Sequence, residues 1–291
     1  MLNLNNEYLV INGRDSRDFG IYLIDGNIFD YTIREYESYQ VPGRNGDVTI
    51  DKGRWKNISV TFKCAAYDNA REKLDMWRAF LLSGMNVIRE IEHASTETGT
   101  LVPGYHGSYK IETSIEPDLF RIGMISSVSS PELSLQGGGG FVEVTFDCQP
   151  QKYLKSGLEP MDITAGVSNL YNPTHYDARP LLKVKAAQVG GKIIFRNYWI
   201  DLANNDQIWN TPPLTITINS TTEFYIDCEA RDASIERINH NNDVVLSSWE
   251  GVTLDFPAIA GSAAIPNVKS YTTISTSDMT SVVMYPKWWT L

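Results

Sequence analysis

Cations, histidine, cysteine and long apolar runs are all scarce in this 291-residue sequence, and each shortage removes a class of function. With 25 Lys+Arg against 35 Asp+Glu the formal net charge is -10, so a surface able to neutralise a nucleic-acid backbone is not expected. Residues 1–150 carry 14 Lys+Arg against 21 Asp+Glu and residues 151–291 carry 11 against 14, which places most of the excess acid in the first half. No apolar stretch reaches the roughly 18 residues that a membrane span needs. The opening Met-Leu-Asn-Leu-Asn-Asn-Glu-Tyr has neither the basic start nor the apolar core of a secretion signal. These features predict a product left in the cytosol, with no membrane partner.

Catalytic signatures are equally thin. Cys64, Cys148 and Cys228 are odd in number and far apart, which fits neither a disulfide framework nor a Cys-x-x-Cys metal or redox site, so reduced and buried thiols are expected. His93, His106, His175 and His240 form no zinc-binding spacing, and surface or satisfied-core roles are expected of each. Glu90 and Glu92 alternate as solvated strand residues do, and a glycosidase would need two carboxylates across a cleft. Gly137 to Gly140 is followed by strand-like Phe-Val-Glu-Val-Thr-Phe, and Gly190-Gly191-Lys192 by Ile-Ile-Phe, so neither reads as a phosphate loop. The glycine run predicts a mobile hairpin tip. Two glycosylation sequons, at Asn57 and Asn219, have no physical consequence in a chain without a secretion signal.

What is present is β patterning. Short runs alternate apolar and polar residues and close on Gly, Pro, Asn or Asp: Ile58 to Cys64, Phe141 to Cys148, Leu181 to Ala186, Lys192 to Tyr198, Leu214 to Asn219, Glu223 to Cys228 and Ser281 to Trp289. Val60-Thr-Phe-Lys-Cys64 and Val144-Thr-Phe-Asp-Cys148 look alike and predict two core strands of one domain. One helix interrupts them, capped by Asp68 or Asn69, with Ala70, Leu74, Trp77 and Leu81 on its core stripe, Phe80 beside it, and Gly84 as its stop. The length predicts two cores. Gln149 to Pro160, with two prolines, a glycine and no periodicity, marks the boundary, dividing the chain into residues 1–152 and 153–291. With 7 Trp and 15 Tyr, ring stacking on sugars is a second class of function to weigh against core packing.

Several stretches resemble a known family. Tyr8 to Tyr22 leads into Tyr39-Gln-Val41-Pro42-Gly43-Arg44-Asn45-Gly46-Asp47, in which Pro42-Gly43 and Asn45-Gly46 are paired turn signals and Asn-Gly suits a type I′ hairpin. Further landmarks are the helix end at Trp77, the close Phe146-Asp-Cys148-Gln-Pro150, the stretch Asn169 to Pro180, and the terminal Pro286-Lys287-Trp288-Trp289. Together these resemble the distal tail protein (Dit) family of long, non-contractile-tailed phages of Gram-positive hosts. The family commonly has Arg where Lys287 stands, which removes the planar fork of a bidentate contact.

The resemblance implies a mainly β, two-domain β-sandwich protein: an N-terminal belt domain, a sandwich plus one α-helix, over 1–152, and a C-terminal galectin-like β-sandwich over 153–291. It implies a structural protein of the virion tail tip or baseplate, not an enzyme, assembled in the host cytoplasm and needing no cofactor. Six copies would form a ring joining the major tail tube protein to the tail-associated tip protein and carrying receptor-binding proteins, with DNA passing through unbound. The rival is a carbohydrate-binding module on the host wall, which exposed coplanar aromatics on the second domain would favour. A wall-degrading hydrolase would require two carboxylates facing one cleft.

Overall fold

The computed structural model describes residues 6–83, 108–133, 138–204, 206–238, 244–248, 252–253, 256–262 and 267–291. The fold is mainly β, with several antiparallel sheets. It divides into two compact units, the described residues up to Lys152 together with Leu291, and those from Tyr153 to Thr290.

In the first unit the principal sheet runs in the order Arg14–Asp15, Leu9–Ile11, Tyr109–Thr113, Leu119–Val128, Gly140–Leu154, Ile58–Ala66, Tyr22–Gly26. The two look-alike strands are direct neighbours, with Val144 opposite Phe62 and Phe146 opposite Val60. This register puts Val60, Phe62 and Cys64 beside Val142, Val144, Phe146 and Cys148 in one core, each at most 1% exposed. Period-2 alternation is thereby satisfied from both strands at once. The helix Ala70–Leu82 buries Ala70, Leu74, Trp77 and Leu81 against that core, as its 3.6-residue spacing predicts. Phe19 and Phe80 pack on Trp77 at 5.3 and 5.5 Å between ring centroids.

The ends of that helix differ in detail from expectation. Asn69 occupies the N-cap in a left-handed conformation but makes no side-chain cap bond, while Asp68 reaches Lys73 at 2.5 Å instead. The helix stops at Leu82 with Ser83 as C-cap, and the expected stop at Gly84 lies outside the described residues. Gly140 opens its strand opposite Leu133, and a Cβ there would stand 2.7 Å from the Glu132 carbonyl oxygen. Glycine is thus demanded by backbone approach at this position.

Two six-stranded sheets make up the second unit. One contains Met279–Tyr285, Leu181–Ala186 and Phe224–Asp227; the other contains Val268–Ser277, Gly191–Asp201 and Leu214–Ile218. Leu182, Val184, Phe224, Ile226 and Met284 from the first meet Ile193, Phe195, Ile216 and Ile274 from the second in a single buried cluster, the packing of a sandwich.

Two expectations about the strands need correction. The stretch from Gln149 is not irregular: the strand Gly140–Leu154 runs through Pro150 and ends in a short 3-10 turn, Lys155–Leu158. Pro150 is tolerated on the side facing Ile58–Ala66 because pairing there ends at Cys148 opposite Ile58, so no ladder bond is lost on that side. Ser281 to Trp289 is not one strand. It ends at Tyr285, and Lys287 turns the chain with φ of 56° before the short Trp289–Thr290.

Candidate functional site

The motif residues separate into a buried set and an exposed set. Trp77, Phe146 and Cys148 are fully buried in the first core. Pro286, Lys287 and Trp288 are buried in the second unit, and Pro150 and Trp289 are half-buried. Only Val41, Pro42, Gly43, Arg44, Asn45, Gly46 and Asp47 are freely exposed.

Those seven residues form the tip of a two-stranded ribbon, Arg34–Tyr39 against Val48–Trp55, which stands outside the main sheet. Val41 accepts from the Arg44 N–H at 3.1 Å, Pro42 precedes Gly43, and Gly43 has φ of 82°, the features of a type II turn. The expected type I′ turn at Asn45-Gly46 is not formed. Gly46 has a positive φ but Asn45 does not, and Tyr39 opposite Val48 leaves an eight-residue connection instead of two.

Both faces of the ribbon meet solvent. Tyr36, Tyr39 and Ile50 are 56%, 48% and 52% exposed, although a bare hairpin with apolar side chains is only marginally stable in water. Cross-strand ion pairs hold it: Arg34 to Asp51 at 2.8 Å, Arg54 to Glu35 at 2.5 Å, and Lys52 to both Glu35 and Glu37. The side-chain hydrogen bonds from Arg54 and Lys52 hold the Glu35 and Glu37 carboxyls below the usual carboxylate range. Pairs this exposed contribute little stability individually.

A second exposed feature was not foreseen. The segment 29–33 presents Phe29, Tyr31 and Ile33 at 61%, 75% and 55% exposure. It is tied down at every other residue. Arg121, only 5% exposed, donates to the carbonyls of Ile28 and Asp30 at 3.3 and 2.9 Å, and burial pulls its pKa below the usual arginine value. Asn27 donates to Asp30 and to the Ser59 carbonyl at 2.9 and 3.0 Å, and the buried Thr32 hydroxyl donates to the Lys56 carbonyl. Alternation of apolar and polar residues marks 29–33 in the sequence, but nothing there says that the apolar side faces water.

In the second unit Lys287, 3% exposed, lies 2.8 Å from Glu229 and 3.5 Å from Asp227, and Tyr153 donates to Glu229 at 3.3 Å. Burial pulls the ammonium pKa down, but the two carboxylates outweigh it and the net shift is upward. A compact ammonium between two carboxylates needs no planar fork, so the Arg-to-Lys difference is accommodated here. Trp289 stacks on Tyr176 at 4.5 Å between centroids and donates to the Asp177 carbonyl at 3.0 Å.

Chemistry is little in evidence. Burial pushes the Cys64 and Cys148 thiols up to about 12 and raises Cys228 further, so none is a thiolate at neutral pH. His175 approaches the Ser262 hydroxyl and carbonyl through Nδ1 at 3.1 and 3.2 Å, and among the described residues no carboxylate is hydrogen-bonded to it as a triad would require. No metal-holding group of His, Cys, Asp or Glu exists among the described residues. Glu90, Glu92, His93, His106 and His240 lie outside the described residues. Tyr171, Tyr271 and Tyr198 sit side by side on the second unit, with centroids 6.1 and 5.7 Å apart.

No protein-family model matches this sequence, and no curated protein matches it. Solved structures do. The crystal structure of the Dit (gp 19.1) protein of phage SPP1, described as a paradigm of the hub adsorption apparatus in phages infecting Gram-positive bacteria, matches at 13% identity and a TM-score of 0.54. The match covers 96% of this chain and 97% of that one. Chains of the phage P2 baseplate in its activated conformation match at 8% identity with calcium, TM-score 0.47, and at 8% with strontium, TM-score 0.42. The calcium form is covered over 96% of both chains; the strontium form over 96% of this chain and 97% of that one. Over nearly its whole length, then, this chain has the fold of a phage Dit hub protein.

Proposed function

We propose that the protein is a structural hub of a phage tail tip. Six copies close into a ring through the belt domain, residues 1–152, and the galectin-like domain, residues 153–291, projects outward. The ring joins the major tail tube protein to the tail-associated tip protein, carries receptor-binding proteins on its outer domains, and lets DNA pass without binding it. Its place is the tail tip of the virion, after assembly in the host cytoplasm, and its work is packing and hydrogen bonding, with no catalysis and no cofactor. The observation that carries this reading is the likeness to the SPP1 Dit fold across 96% of this chain. Fold alone does not decide function. Two features beside it agree: buried thiols that carry no reactive charge, and exposed apolar side chains on a ribbon outside the main sheet. Negative-stain images of the purified chain over a rising concentration series test the reading. Closed rings with an open centre support it, and isolated particles at every concentration overturn it.

Glycan binding has one observation in its favour, Tyr171 at 42% exposure beside Tyr271 and Tyr198. Tyr271 and Tyr198 are half-buried, and Tyr171 is tilted 53° from Tyr271, so the three do not make the flat platform on which a sugar stacks.

A further inference from the structure

We propose that Asn45, at the tip of the ribbon, is a site of covalent self-modification: its side-chain amide is lost to water through a cyclic imide formed with the backbone nitrogen of Gly46. The inference is independent of the hub reading and rests on a contrast within the chain.

The sequence holds two Asn-Gly pairs, Asn12-Gly13 and Asn45-Gly46. Asparagine is chemically labile, and a glycine after it leaves the next backbone nitrogen uncrowded, because no Cβ stands beside it. Both glycines have a positive φ, 82° and 81°, and open space where a side chain would be. Local sequence therefore makes the two pairs alike. Their surroundings differ.

Asn12 is fixed. It follows Leu9–Ile11, its side-chain oxygen accepts from the Lys110 N–H at 2.6 Å, and its own N–H donates to the Lys110 carbonyl at 2.9 Å. These bonds tie both its carboxamide and its backbone to the neighbouring strand Tyr109–Thr113. Swinging the side chain round onto Gly13 means breaking the bond to Lys110, so reaction there waits on local opening.

Asn45 is free. Every residue from Val41 to Asp47 is exposed, and the turn bond from Arg44 to Val41 ends one residue short of it. Among the described residues, neither the Asn45 side chain nor the Gly46 N–H has a hydrogen-bond partner. Nothing has to open before the two groups meet.

The reaction balances with water as the only co-reactant. The Gly46 nitrogen attacks Cγ of Asn45, a C–N bond forms, and the side-chain nitrogen leaves as ammonia, taking the Gly46 proton. Water then opens the five-membered imide at either carbonyl, giving aspartate or isoaspartate and releasing a proton. Either product adds a negative charge to a tip where Arg44 and Asp47 otherwise balance. An ageing population of the protein thus divides into two charge forms at a motif residue.

The test incubates full-length protein in mildly alkaline buffer, digests samples with an acid protease, and follows both Asn-Gly peptides by mass spectrometry. Enzymatic methylation of isoaspartate gives a second readout. In the folded protein the Asn45 peptide should convert at least about tenfold faster than the Asn12 peptide, and in urea beyond the unfolding transition the two rates should converge. Gly46→Ala, which crowds the nitrogen, should slow conversion at Asn45 and leave Asn12 unchanged. Equal rates at the two sites in the folded protein, or an Asn45 amide that persists, would overturn the inference. So would an undiminished excess at Asn45 after unfolding, because sequence and not structure would then set the preference.

Discussion

Lys287 shows how one residue reveals its role only once its neighbours are known. Lysine is almost never fully buried unless paired, yet Lys287 is 3% exposed and shared by Glu229 and Asp227. Removing one member of a buried ion cluster strands the others. Lys287→Met should therefore lower stability by about 3 kcal/mol, or somewhat less because Glu229 is partly solvated, as urea titration of the pure protein would measure. The raised pKa also sets a pH window. Stability from Lys287 is fully present below the ordinary lysine value near 10.4 and is lost as pH rises through the higher folded value. Thermal melts from about pH 7 to about pH 11 should show wild type losing an alkaline increment that Lys287→Met lacks. The two terminal tryptophans divide as alternation on a strand predicts, but for another reason. Trp288 is 5% exposed in the second core, and Trp289 is half-buried against Tyr176, because Lys287 turns the chain between them and Tyr285. Trp288→Ala should cost about 3 to 5 kcal/mol, and Trp289→Ala about 1 to 2 kcal/mol from a lost stack and hydrogen bond. Equal losses in the two denaturation curves would contradict the assignment.

At the scale of elements, glycines discriminate close approach from turn geometry. A Cβ on Gly157 would lie 2.4 Å from the Trp288 backbone nitrogen, and backbone on both sides cannot yield cheaply. Gly157→Ala should destabilise the second unit by at least about 2 kcal/mol. Gly43 has open space around it and only its φ of 82° to defend, so Gly43→Ala should cost about 1 kcal/mol, confined to the ribbon tip. Calorimetry on the two variants checks the ordering. The same contrast explains which elements were legible in the sequence. Leu181–Ala186 has the bounds its alternation gave, and the stripe Ala70, Leu74, Trp77, Leu81 is the buried face of the helix, since periodicity and burial are two views of one constraint. Pro150 misled, because a proline breaks a strand only where its missing N–H would pair. Lys287 misled for the opposite reason: a left-handed lysine has no sequence signal, and Asn45, which commonly takes that conformation, does not take it here. The outward facing of Phe29, Tyr31 and Ile33 was hidden because alternation tells which residues share a side and not which side is wet.

At the scale of the whole molecule, a net charge of -10 bears on what the chain can bind. An acidic chain repels the phosphate backbone, so duplex DNA should not bind the purified protein even at low salt, and a salt-sensitive titration in the micromolar range would count against the proposed passive channel. The sharper consequence is copy number. Native mass spectrometry of the purified full-length protein, 32.7 kDa per chain, addresses this directly. The account predicts a dominant species of six chains that gives way to single chains as concentration falls. A single-chain species at every concentration, from protein with a native thermal transition, would contradict it.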